Sequence, residues 1–164
     1  MATNQIGELP LQNHSGPHTR NEGITILLVE DDSSVRRLVS QTLMLTGYTV
    51  LEAANGPEAL QLMEQQAGEV HLLLTDVVMP YMNGGELAER LAGICPRMRV
   101  LFTSGYMDDA VVQKVVALGA QFLPKPFSPS TLMNKVREVL EQPFRESHTG
   151  LAPGVNPQKP VDIH

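Results

Sequence analysis

Short apolar runs alternate along this chain with stretches whose apolar residues recur every three or four positions. Ile24–Val29 (ITILLV) is a nearly continuous apolar run, the mark of a strand buried on both faces. Ser33 or Ser34 is placed to cap the helix that follows, with Val35, Leu38, Val39, Thr42 and Leu43 at helical spacing and Gly47 as its stop. Thr49–Ala53 predicts a second strand, and Pro57 opens a helix carrying Ala59, Leu60 and Met63. Val70–Thr75 (VHLLLT) reads as a third buried strand, Gly84–Leu91 as a short helix and Arg99–Thr103 (RVLFT) as a fourth strand. Asp108–Leu118 predicts a helix stopped by Gly119, and Gln121–Leu123 a short fifth strand. Ser128 caps a last helix with Leu132, Val136, Val139 and Leu140 on one face.

Five strand–helix alternations imply an α/β fold, a parallel sheet with helices on both faces. The chemistry of such sheets lies beyond the C-terminal ends of the strands, where the strand order reverses. The residues just past each strand are therefore the candidates. Glu30, Asp31 and Asp32 follow the first strand, Asp76 the third, Ser104 the fourth and Lys125 the fifth. Each has an ordinary explanation by itself. An acidic pair after a strand is often only a helix cap, and a lysine before proline is often a solvated loop residue. Together they place several carboxylates, a hydroxyl and an ammonium on one rim.

Clustered carboxylates repel unless a cation neutralises them, and a hard ion such as Mg²⁺ suits an all-oxygen site. Lys125 is a point charge suited to a phosphoryl oxygen, and Ser104 can donate to another. Asp76, in the middle of the rim, is the carboxylate best placed as nucleophile. Phosphoryl transfer needs mainly positioning and charge neutralisation, which this set supplies.

Composition narrows the rest. The chain has 164 residues, 42% of them hydrophobic, enough for one domain with tails. Residues 1–22 are polar, aperiodic and rich in turn formers, and predict a flexible arm. His14 and His18 there are four apart, but Gly16 and Pro17 between them oppose a helix, so no metal site is expected. Residues 23–142 form the domain, and the Pro-rich stretch 143–164 predicts a disordered tail too short for a DNA-binding module. The net charge of −6 argues against direct nucleic-acid binding. The single Cys95 forms no intrachain disulfide. With no apolar run long enough to span a membrane and no signal-like start, a cytoplasmic protein is expected.

The segments ILLVEDD ending at Asp32, DVVMPYMNG from Asp76 to Gly84, TSGY from Thr103 to Tyr106, and KPF from Lys125 to Phe127 resemble the response-regulator receiver family of two-component signalling. The resemblance runs from about Thr25 to Leu140. It implies a flavodoxin-like, doubly wound five-stranded parallel sheet of order 2-1-3-4-5. It implies Asp76 as phosphoacceptor, Asp31 as direct Mg²⁺ ligand, Glu30 as the second acid, and the Val78 backbone carbonyl as a further ligand. Ser104 matches the family's hydroxyl, with Gly105 leaving room for the phosphoryl group, and is preferred over Thr103. Lys125 matches the family's lysine, with a cis bond to Pro126, and Phe122 falls at the switch aromatic. Asp32 stands one position beyond the acidic pair and is left out of the metal set.

By the same resemblance, the partner is a histidine kinase or a histidine phosphotransfer protein, and the effector is unspecified. A homodimer through the fourth-helix face is a further partner that no residue pattern decides. The chain is expected to catalyse only its own phosphorylation and dephosphorylation. The wording of TSGY and KPF is similar to receivers of hybrid histidine kinases, so a stand-alone receiver and a piece of such a kinase are both compatible. Val78 and Tyr106 occupy positions that tune phosphate hydrolysis in the family. Val78 offers no group to orient water, which implies a fairly long-lived phosphate. Among rivals, a metal-dependent aspartyl-phosphate phosphatase would carry a second acid where Val78 stands. A nucleotide binder would need a GxxxxGK[ST] or GxGxxG segment that is missing. A non-phosphorylated docking module would not need the complete acid, hydroxyl and lysine set.

Overall fold

The computed structural model describes residues 21–117 and 119–143. The expected arm and tail, with His14 and His18, lie outside these residues apart from Asn21, Glu22 and Pro143. The described elements run β1 (Thr25–Val29), α1 (Ser33–Leu45), β2 (Thr49–Ala53), α2 (Gly56–Gln65), β3 (Leu72–Asp76), α3 (Gly84–Ala92), β4 (Arg99–Ser104), α4 (Ala110–Ala117), β5 (Gln121–Pro124) and α5 (Pro129–Glu141). All strand pairs are parallel and the order is β2-β1-β3-β4-β5, the flavodoxin-like order expected.

The continuous apolar runs split between two cores because successive strand side chains point to opposite faces. Ile26 and Leu28 of β1 join Leu72 and Leu74 of β3 on the face covered by α1 (Val39, Leu43) and α5 (Leu132, Val136, Val139). Leu27, Val29 and Leu73 point the other way, onto α2 (Ala59, Met63) and α3 (Leu87, Leu91). A smaller cluster of Val77, Phe102, Val112 and Val115 seats α4, with Phe122 packed against it. Helices on both faces leave only the strand ends open to chemistry.

Several boundaries differ from the pattern. The cap of α1 is Asp32, not Ser33 or Ser34: its carboxylate accepts from Ser34 N at 2.8 Å and Val35 N at 3.0 Å. A carboxylate beside the exposed N–H groups of a helix start is a stronger acceptor than a hydroxyl. Val70 is buried but stands before the β3 ladder, whereas Asp76 stands within it, opposite Thr103. Helix α4 starts at Ala110 rather than Asp108, because the Asp109 side chain accepts from Val111 N at 2.8 Å and serves the entry turn. Leu118, its expected last residue, lies outside the described set. Gly47 and Gly119 follow their helices with φ of 95° and 72°, which glycine adopts without strain.

Candidate functional site

The candidate residues meet at the C-terminal edge, where β1 and β3 neighbour each other and the chain order reverses. One carboxylate oxygen each from Glu30, Asp31 and Asp76 lie within 4.8 Å of one another. Glu30 and Asp76 are buried, at 3% and 9% exposure, while Asp31 is open to solvent. Lys125 reaches across from the end of β5. Its Nζ lies 2.5 Å from Glu30 Oε2 and 3.0 Å from Asp76 Oδ2. The Lys125–Pro126 bond is cis, as the resemblance implied.

Burial sets the electrostatics. It pushes the Glu30 carboxyl above its ordinary range, against the opposing pull of the Lys125 hydrogen bond. Burial alone would lower Lys125, but hydrogen bonds to Glu30 and Asp76 outweigh it and the ammonium is held above its ordinary range. Asp32 is different. The N–H groups of Val35 and Ser34 hold its carboxyl below the usual range. It serves the helix and stands outside the acid cluster.

Backbone groups fix the remaining carboxylate oxygens. Asp76 Oδ1 accepts from Val78 N at 3.3 Å, and Glu30 Oε1 from Asp32 N at 3.2 Å. Ser104 is fully buried and lies one residue past Thr103, the ladder partner of Asp76. Its Oγ accepts from Tyr106 N at 3.1 Å, and no hydrogen bond joins it to Asp76 among the described residues. Thr103 is spent elsewhere, its hydroxyl facing the Thr75 carbonyl at 3.4 Å. Phe122 lies opposite Phe102 in the sheet, packed against the cluster that seats α4.

The sequence reading missed two features. Arg36 Nη1 donates to the Glu30 carbonyl at 2.6 Å. The Gly84 backbone approaches that of Asp76 closely: an added Cβ there would stand 2.3 Å from the Asp76 carbonyl oxygen. The rule that glycine marks a close backbone approach could have flagged Gly84, but Gly85 beside it looks the same in sequence.

Three carboxylates facing one ammonium suit a hard divalent cation, since oxygen is the sole donor type and the cluster keeps an excess of negative charge.

The response regulator receiver domain family matches residues 26–137. The chain is 45% identical over 119 residues to the sensor kinase CckA of Brucella abortus, covering 72% of this chain but 13% of that protein. It is 37% identical to the response regulator receiver protein CpdR of the same organism, covering 70% of this chain and 95% of that one. Among solved structures, the receiver domain of the hybrid histidine kinase CckA superposes with a TM-score of 0.61 at 39% identity, over 71% of this chain and 99% of that domain. Among the described residues, no helix is long and apolar enough to cross a membrane.

Proposed function

Because the chain belongs to the response regulator receiver domain family, we propose that it accepts a phosphoryl group from a phosphohistidine onto Asp76 in a two-component phosphorelay. The observation that carries this reading is the Lys125 ammonium bridging Glu30 and Asp76 at the edge of a three-carboxylate cluster.

Glu30, Asp31 and Asp76, with the Val78 carbonyl, are the groups that would hold Mg²⁺. When bound, the ion supplies charge neutralisation for the phosphoryl oxygens. The Asp76 carboxylate forms the new O–P bond as the donor's N–P bond breaks, and the electron pair leaves with the donor imidazole. Lys125, already 3.0 Å from Asp76, offers its protons to a phosphoryl oxygen. Ser104 accepts from Tyr106 N, so its own O–H stays free to donate to another.

The product carries about −1.5 to −2 of charge, on the pattern of other phosphorylated side chains, where the free carboxylate carried a single negative charge. Ser104 turns toward it and Phe122 moves inward, which shifts the face built from α4, β5 and α5. The donor is a histidine kinase or a histidine phosphotransfer protein, as the likeness to a sensor kinase supports. The chain acts on no other substrate, and a cytoplasmic location fits its lone Cys95. A homodimer through α4 belongs to the same reading.

Incubation with acetyl phosphate, with and without Mg²⁺, followed by intact mass tests it. Wild type gains one phosphoryl group in the presence of Mg²⁺ and none after chelation. Phosphate retained on Asp76→Asn contradicts the assignment.

A further inference from the structure

The two acids at the end of β1 differ in how they are held. The Glu30 carboxylate is fixed by Asp32 N and Lys125 Nζ. Asp31 is exposed, and its carboxylate takes part in none of the described hydrogen bonds. Its position therefore depends on the backbone that carries it.

That backbone is one peptide unit, the planar group formed by the Glu30 carbonyl and the Asp31 N–H. Arg36 holds its oxygen. From the first turns of α1 the side chain reaches back six residues, and Nη1 donates to the Glu30 carbonyl at 2.6 Å. The other side of the guanidinium faces β2, with Nε 3.8 Å from Glu52 Oε2. Glu52 is itself held, since its second oxygen accepts from the buried Ser40 hydroxyl at 2.6 Å. The Glu30 N–H is taken by the Ala53 carbonyl of β2 at 3.2 Å. Strand β2 thus grips the Glu30 backbone directly through Ala53 and indirectly through Glu52 and Arg36.

We propose that Arg36 is a positioning residue for the divalent cation: it fixes the peptide plane joining Glu30 to Asp31 and so keeps both carboxylates aimed at one point. This rests on the reading that Glu30, Asp31 and Asp76 hold the ion. A guanidinium suits the task because it is planar, permanently charged and able to face two acceptors at once. Its bond to a carbonyl is charge-assisted, hence stronger than a neutral one. Groups that orient metal ligands without touching the metal commonly control affinity. Arg37, next in sequence, points to solvent, so the two arginines are not equivalent.

The test measures Mn²⁺ and Mg²⁺ affinity of the full chain for wild type, Arg36→Met and Arg36→Lys, with amide hydrogen exchange of the metal-free proteins. Arg36→Met weakens affinity about tenfold, the scale typical of a lost ligand-orienting group. Arg36→Lys recovers part of the loss. Exchange at Glu30 and Asp32, whose N–H groups are hydrogen-bonded, speeds up in Arg36→Met while Leu101 in β4 is unchanged. Arg36→Met binding within about twofold of wild type overturns the proposal, as does weakened binding with unaltered exchange at Glu30 and Asp32. Where Arg36→Met fails to fold, Arg36→Lys and Glu52→Gln decide. Each weakens affinity if Arg36 positions the acids, and affinity unchanged in both overturns it. Wild type that binds neither ion defeats the metal reading itself, an outcome separate from any difference between variants.

Discussion

Glu30 shows how a single buried carboxyl ties stability to pH. Its folded form holds a proton to higher pH than the unfolded chain does, because burial raises its carboxyl above 4.5. Over that window the folded state binds more protons, so stability falls as pH rises from 4.5 through the raised value. Glu30→Gln removes the charge and keeps the shape. In denaturant titrations without metal, the variant gains on wild type as the pH moves from acid to neutral; a difference that stays constant with pH contradicts this. Lys125 has the opposite sign. Its stabilisation is complete below 10.5 and lost as pH rises through its raised folded value. Val78 carries the prediction about lifetime. It places no polar side-chain group beside Asp76, so Val78→Asn shortens the half-life of the phosphorylated state clearly. A half-life that barely changes counts against that reading.

At the scale of elements, loops between strand and helix decide whether the residues meet. Asp32 is an example of two acids in a row doing different work. Asp32→Ala removes the acceptor for Ser34 N and Val35 N, and thermal melts show a less stable protein. Its Mg²⁺ affinity stays close to wild type; a large loss would move Asp32 into the ion's coordination. Gly84→Ala drives a Cβ against the Asp76 carbonyl, and denaturation registers a cost of about 1–3 kcal/mol. Gly105→Ala meets only Lys125 Cβ at 3.9 Å, an ordinary contact, and changes stability by less than about 0.5 kcal/mol. Equal effects at the two glycines would contradict the packing described.

The alternation of elements was legible because buried parallel strands are unbroken apolar runs, and Thr49–Ala53 was placed to the residue. Boundaries were not. Val70 is apolar because it is buried, yet it lies before the β3 ladder, and Asp76 is polar yet lies inside it. Hydrophobicity reports burial, and the ladder is set by hydrogen bonds that leave no trace in composition. The acid, hydroxyl and lysine positions could be read because each ends or follows a strand. Arg36 could not, since a long side chain reaching back to a carbonyl follows no period.

On the scale of the whole molecule, the site and the face expected to change lie on one continuous piece of structure. Strand β5 ends in Lys125, and its Phe122 packs against Phe102 and the α4 residues Val112 and Val115. A phosphoryl group that draws on Lys125 and Ser104 therefore acts on the C-terminal ends of both β4 and β5. Phosphorylation should change amide chemical shifts through α4, β5 and α5, and Phe122→Ala should confine the change to the site. A response that spreads equally in the variant would remove Phe122 from the coupling. All of this depends on where the phosphate goes. The most direct measurement is borohydride reduction of the protein after acetyl phosphate and Mg²⁺, with peptide mass spectrometry to find the aspartate converted to homoserine. Conversion at position 76 alone is the predicted result; conversion at Asp31, Asp32 or elsewhere, or none at all, would contradict it.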